Sequence, residues 1–284
     1  MKKFLDILTK LDRRWLFLFL TIVILIPIIH PSNMEMKSIS SPVKGAYDFI
    51  EGLPENSFVI LSLDFDPGTR PELYPQALAL CKHLMKKNLR VALTTFNPGA
   101  PGIMTEFKDE ILKAFPEKVY GRDIVMFPYR AVFLATVTQL ATDVYAQYPD
   151  DAEGKPLKSM PIMKGIKNYK DMGLAIEISG TTLFTSWIYY VGDKYHLPVL
   201  GGTTAITQLS YSPYVQTGQL KGLLGGMRGA AEYEAMLHDK HGLATGDATK
   251  SLNVLNWPHM LVFLIAVLSN LAIFFGRFMP HKED

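Results

Sequence analysis

The chain has 284 residues, 48% hydrophobic and 20% charged, enough for one large domain or two small ones, and its composition excludes disorder, collagen and coiled coil. One cysteine, Cys81, excludes an intramolecular disulfide framework and Cys-rich zinc or iron–sulfur sites. A net charge of +2, with no dense Lys/Arg run beyond the first fourteen residues, argues against a nucleic-acid partner.

Residues 1–14 read as a cationic amphipathic cytoplasmic segment. Phe4, Leu5, Leu8 and Leu11 share one helical face, as in a helix lying on an anionic leaflet, although a plain cationic flank explains the charges equally well. Residues 15–30 read as a transmembrane helix, since 15–29 are apolar except for Thr21. That core is short for a span and matches a signal-peptide apolar region, but no small-x-small cleavage pattern follows, so an uncleaved signal anchor is expected. Residues 31–57 are polar, contain Ser and Pro, and read as a stalk.

A domain then occupies 58–253. The apolar run 58–65 has strand length and is followed by a Pro/Gly loop and a helix carrying Leu73, Ala77, Leu80, Cys81 and Leu84 at core spacing. The unit recurs with strands at 90–96, 123–127, 172–178 and 197–200, and with helices reaching 115, covering 130–147 and reaching 195. Between the third and fourth units, 148–170 reads as a polar, exposed insertion. Five nearly continuous apolar strands alternating with helices predict an α/β fold, a three-layer Rossmann-like parallel sheet of about five strands, buried on both faces. The Gly/Pro loops fall at the carboxyl ends of the strands, where such sheets bind ligands.

Residues 219–234 place Gly222, Gly225, Gly226, Gly229 and Ala230 every three or four positions, which predicts a glycine-faced helix. Such a helix packs tightly either on its own sheet or on a neighbouring subunit. Residues 254–278 read as a second transmembrane helix, in which 261–275 is broken only by Ser269 and Asn270, with Trp257 at one interface and Arg277 at the other. Asn270 points to a hydrogen-bonded helix partner in the membrane. A short cytoplasmic tail, 279–284, follows. Five Lys/Arg precede the first span, and Arg277 and Lys282 follow the second, so both termini are expected in the cytoplasm and the domain outside it.

The sequence Asp64-Phe-Asp66-Pro-Gly-Thr69 is similar to the opening motif of the haloacid-dehalogenase phosphotransferases. That resemblance implies Asp64 as nucleophile, Asp66 as acid/base, Thr94 or Thr95 on the phosphate and Lys164 as the neutralising cation. The match is inexact: Thr69 comes one position too late, and the fourth strand ends Glu177-Ile-Ser179 where an acidic pair for magnesium belongs. Small-residue turns at Gly180-Thr181-Thr182 and Gly201-Gly202-Thr203-Thr204, with Thr94, Thr95 and Asn97, form a candidate anion-binding edge. Those glycines also suit a plain strand-to-helix turn. His238 and His241 could share a helical face around a metal, with a solvated pair as the plainer reading, and Asp150, Asp151 and Glu153 read as a solvated loop.

Residues 214–234, together with Asp66-Pro-Gly-Thr69 and the run 161–169 (Pro-Ile-Met-Lys-Gly-Ile-Lys-Asn-Tyr), resemble a group of bacterial membrane-anchored proteins with a Rossmann-like domain and no known activity. The resemblance implies a recurrent arrangement and no catalytic residue. The expectation is therefore a two-pass membrane protein whose extracytoplasmic domain is a structural or ligand-sensing subunit of a larger membrane assembly. Its partners would be the lipid bilayer, other membrane subunits or further copies of itself, and a small anionic ligand, with no cofactor and no metal. The alternative is a membrane-anchored hydrolase or transferase acting on a small anionic substrate through Asp64 and Asp66.

Overall fold

The computed structural model describes residues 12–29, 36 and 38–277. The expected cationic segment, except for its last residues, and the C-terminal tail lie outside the described residues, as does the start of the expected stalk. Two compact units result: residues 35–249, and a second unit from residues 1–34 and 250–284.

The first unit is built on six parallel strands: β1 (Phe58–Asp64), β2 (Arg90–Thr94), β3 (Ile124–Met126), β4 (Leu174–Ser179), β5 (Val199–Thr203) and β6 (Leu220–Gly225). Their order across the sheet is β3-β2-β1-β4-β5-β6, so the chain switches direction of travel between β1 and β4. The strands are almost wholly buried because they are covered on both faces, which is why their sequences run apolar instead of alternating. Val59, Leu61 and Leu63 enter one core with α2 (Ser41–Glu51), α3 (Arg70–Lys86), α4 (Pro101–Ala114) and α9 (Gly226–His241). Phe58 and Ile60 enter the other, with α5 (Phe133–Leu140), α6 (Val144–Gln147), α7 (Leu183–Trp187) and α8 (Gln208–Gln216). The three-layer α/β architecture is the expected one.

Four local expectations are corrected. The glycine-faced helix at 219–234 does not exist: 220–225 is the sixth strand and only 226–241 is helical. Its glycines serve the domain's own packing. A Cβ on Gly222 would lie 2.2 Å from the Ala46 backbone nitrogen, because α2 crosses directly over β6, and Cβ atoms on Gly225 and Gly229 would strike Gln208 and Leu224. The stalk is also corrected, since 41–51 is the helix α2, whose Val43, Ala46, Tyr47 and Ile50 are buried in the sheet's core.

The insertion at 148–170 is no exposed excursion. It folds as short 3₁₀ turns that bury Tyr148, Leu157, Ile162, Met163, Ile166 and Tyr169. The single helix expected over 130–147 is instead two short ones, and the helix after β4 continues as a π-helical stretch, Ile188–Asp193.

In the second unit, α1 (Arg13–Ile29) and α10 (Asp247–Arg277), which begins in the first unit, coincide with the two apolar segments. Among the described residues one helix, over Asp247–Leu271, is long and apolar enough to cross a membrane, and the apolar stretch Phe17–Ile29 is shorter.

Candidate functional site

The loops at the carboxyl ends of β1, β2, β4 and β5 converge at the switch point, where open α/β sheets present their ligand crevice. A Cβ on Gly180 would lie 3.0 Å from the Thr204 methyl and 3.8 Å from that of Thr69, and one on Gly99 would lie 3.7 Å from Asp66 Cβ. The predicted residues after β1, β2, β4 and β5 are thus brought to one edge.

At the floor of this edge lies a group of acids that the alternation of β1 and β4 creates. Ser62 and Asp64 project from the Phe58–Ile60 face, and the register sets Ser62 opposite Glu177. Asp64 is 2% exposed and well supplied with donors: Ser62 Oγ donates to Oδ2 at 2.5 Å, while Thr95 Oγ1 and the Phe96 backbone N–H donate to Oδ1 at 3.1 and 2.5 Å. Burial pushes its carboxyl up and these bonds pull it back.

Glu177 is fully buried, and neither of its oxygens has a donor, because the Ser62 hydroxyl beside it is committed to Asp64. Burial, and then the neighbouring Asp64, hold its carboxyl well above the usual range. Burial raises both carboxyls, and Glu177, which lacks donors, is raised the further, so of the two it is the one that keeps its proton. That proton is what allows one acid to donate to the other. On the same side of the sheet the Trp187 indole N–H is buried without a partner, and the Tyr148 hydroxyl, 3.4 Å from Thr94 Oγ1, is pushed up to about 12 by burial.

The remaining predicted residues are largely occupied with one another. Asp66 Oδ1 accepts from Gly68 N at 2.9 Å and Thr69 N at 3.1 Å, bonds that hold its carboxyl below the ordinary range and fill the place an anion would take ahead of α3. Asn97 Oδ1 accepts from Gly99 N, and the one Thr95 hydroxyl proton is shared between Asp64 Oδ1 and the Leu63 carbonyl. The Thr181 and Ser179 hydroxyls are 2.9 Å apart, and Thr203 and Thr204 both bond the Thr207 hydroxyl.

Gly201, Gly202 and Thr203 are not turn residues, as expected, but lie within β5, paired on one side with β4 and on the other with β6. Gly201 is required there, since a Cβ would sit 1.9 Å from the Glu177 carbonyl oxygen.

Lys164 is removed from the edge altogether. Its carbonyl accepts from Arg90, the first residue of β2, which places it by the amino ends of the strands. His238 and His241 do not pair: His238 Nδ1 bonds the Leu243 carbonyl, and His241 joins Glu51 and His83 at the other edge of the sheet. Asn270 Nδ2 donates to the Ala266 carbonyl of its own helix at 2.9 Å, which uses one of its two N–H groups.

Sequence reasoning did not single out Glu177 as a candidate, because it interrupts an apolar strand singly. The available signal was that very interruption, a charged residue in the middle of a run buried on both faces. Neither protein-family models, nor curated proteins, nor solved structures yield a match to this chain.

Proposed function

We propose that this chain is a two-pass membrane protein whose α/β domain is held outside the cytoplasm and acts as a ligand-sensing subunit of a larger membrane assembly. The ligand enters the crevice between the loops after β1 and β4. The observation that carries the reading is Glu177, buried without a donor against Asp64 beneath those loops. A buried acid held far above its ordinary range by burial and a neighbouring acid is a candidate functional group. A ligand seated on the loops above acts on the pair by shifting Ser62, Thr95 or the Phe96 N–H, the donors that hold Asp64. The Asp66 carboxylate ahead of α3 makes a polar neutral ligand a better fit than a strongly anionic one.

Membrane attachment and orientation rest on the apolar length of the terminal helices and on the Lys/Arg excess beside them. The role within an assembly rests on Ile206 and Leu209, 88% and 80% exposed beside the carboxyl end of β5, apolar surface of the kind that interfaces use. The alternative, a hydrolase or transferase, draws on the same pair, with Glu177 as proton donor and Asp64 as carboxylate. Sensing is preferred because both acids are sealed from solvent, so binding is felt through rearrangement of the crevice.

The test is a thermal-shift screen of small polar and anionic compounds against the detergent-purified chain, with each hit incubated and its products read by mass spectrometry. A hit that raises the melting temperature of the native chain, loses its effect in Glu177→Met, which keeps the bulk and removes the donor, and is recovered unchanged supports sensing. Conversion of a hit establishes the enzyme instead, and a hit unaffected by Glu177→Met removes the pair from the site.

A further inference from the structure

At the edge of the sheet opposite the acid pair, three helices end together. Glu51 closes α2, His83 lies in the last turn of α3 and His241 is the last residue of α9. From each, one ligand atom enters a common space, and the three atoms lie within 4.8 Å of one another. We infer that Glu51, His83 and His241 form a binding site for a divalent transition-metal ion of the zinc class, independent of the crevice at the other edge.

The donor set selects the ion. Two imidazole nitrogens and a single carboxylate oxygen suit zinc and its neighbours, whereas calcium and magnesium need more oxygens than this place offers. His83 Nε2 and His241 Nε2 lie 3.0 and 2.6 Å from Glu51 Oε1. Tetrahedral bonds of about 2.0–2.1 Å set donors about 3.3 Å apart, so His83 Nε2 has to draw back from Glu51 Oε1 by about 0.3 Å and His241 Nε2 by about 0.7 Å. His241 can supply that movement, being partly exposed and followed by Gly242 in the left-handed conformation.

The surroundings match what metal-bound histidines require. The nitrogen of His83 that faces away from the site, Nδ1, lies 2.6 Å from the buried Tyr233 hydroxyl, which fixes the ring with Nε2 directed at Glu51. Tyr47 stacks on the His83 ring at 4.7 Å between centroids, and its hydroxyl lies 3.0 Å from His241 Nε2, placed for the fourth position or for a water beside it. Lys87 holds the second oxygen of Glu51 at 3.2 Å, which leaves Oε1 as a one-oxygen ligand. Cation binding needs His83 Nε2 free of its proton, which then sits on Nδ1 and is donated to the Tyr233 hydroxyl oxygen. Because the ligands come from α2, α3 and α9, the ion staples the first helix of the domain to the two that cover its sheet.

The experiment loads the detergent-purified full chain, stripped with chelator, by dialysis against buffered zinc, and counts retained zinc by elemental mass spectrometry. Cobalt substitution reports coordination through its visible absorption. The expected result is one zinc per chain, a four-coordinate cobalt spectrum and a raised melting temperature, all lost in Glu51→Gln and His241→Gln. Those two side chains are partly exposed, so the variants keep the fold. Tyr233→Phe, which removes only the hydroxyl behind His83, should weaken zinc binding about 10- to 100-fold. No retained zinc, or retention unchanged in both Glu51→Gln and His241→Gln, overturns the site.

Discussion

Glu177 and Asp64 are two acids of nearly the same chemistry in the same burial, and hydrogen-bond donors alone set them apart. Asp64 receives Ser62, Thr95 and the Phe96 N–H, and Glu177 receives none. The stability of the domain should follow from this. In the unfolded chain Glu177 ionises near 4.5, while in the folded protein its value stands well above that. The folded state thus holds a proton that the unfolded state has released, so this contribution is complete below about pH 4.5 and drains away as pH rises through the folded value. Glu177→Gln keeps an N–H donor for Asp64 and has nothing to ionise. It should be more stable than the native chain by about 1–3 kcal/mol at pH 8, and so melt higher, and be nearly equal to it at pH 4.5. Melting curves across that range check the slope, and a native chain no more pH-sensitive than the variant would refute the assignment of the proton. Asp64 was legible in the sequence because it ends a strand ahead of a Pro/Gly loop. Its partner was not, because the register that sets Ser62 against Glu177 is a property of strand pairing across 115 positions, which no local pattern carries.

The elements best read from sequence were those with a period or a continuous apolar run. β1, β2, β4 and β5 fall within a few residues of their expected places. The insertion at 148–170 failed because 3₁₀ turns have no apolar period to detect, although Tyr148, Leu157 and Ile162 are as buried as any strand residue. The sixth strand failed for a different reason. Glycines three or four apart satisfy a helix template by spacing alone, but the four at 222–229 meet different neighbours: α2, Gln208, Glu72 with Ala205, and Leu224. Gly222 gives the sharpest test. An added methyl would overlap the Ala46 backbone, which cannot swing aside as a flexible side chain can, so Gly222→Ala should cost about 1–3 kcal/mol and partly detach α2. Gly102→Ala, in α4 with open space around it, should leave the melting temperature unchanged or slightly raised. Thermal melts of the two variants side by side make the comparison, and equal effects would mean that α2 does not press on β6 as described. The same contact decides how the run 219–234 works, as packing within one domain and not as a face offered to another subunit.

At the scale of the whole chain, the division into residues 35–249 and the two ends separates two kinds of stability. The sheet and its two covering layers hold their own hydrophobic cores, built from residues within 35–249. The ends carry exposed Trp15, Phe17, Phe19, Met260, Phe263 and Ile273, which water does not tolerate in such density. The 31 residues of α10 extend about 46 Å at 1.5 Å per residue, beyond the ~30 Å of a hydrocarbon layer, while the 17 of α1 reach only about 25 Å. The second helix should therefore be the principal anchor and the first an auxiliary one. A fragment of residues 35–249 is expected to remain in the supernatant after high-speed centrifugation and to melt cooperatively. The full chain should stay with membranes through alkaline carbonate extraction. Removing 250–284 should release more of it than removing 1–34, because the shorter helix alone buries too little apolar length to hold a domain of this size. Fractionation of the four forms with an antibody against the domain reads the outcome. Equal retention after either truncation would assign the two helices equal anchoring strength, and release of the full chain by carbonate would mean that its apolar ends are covered by protein instead of lipid.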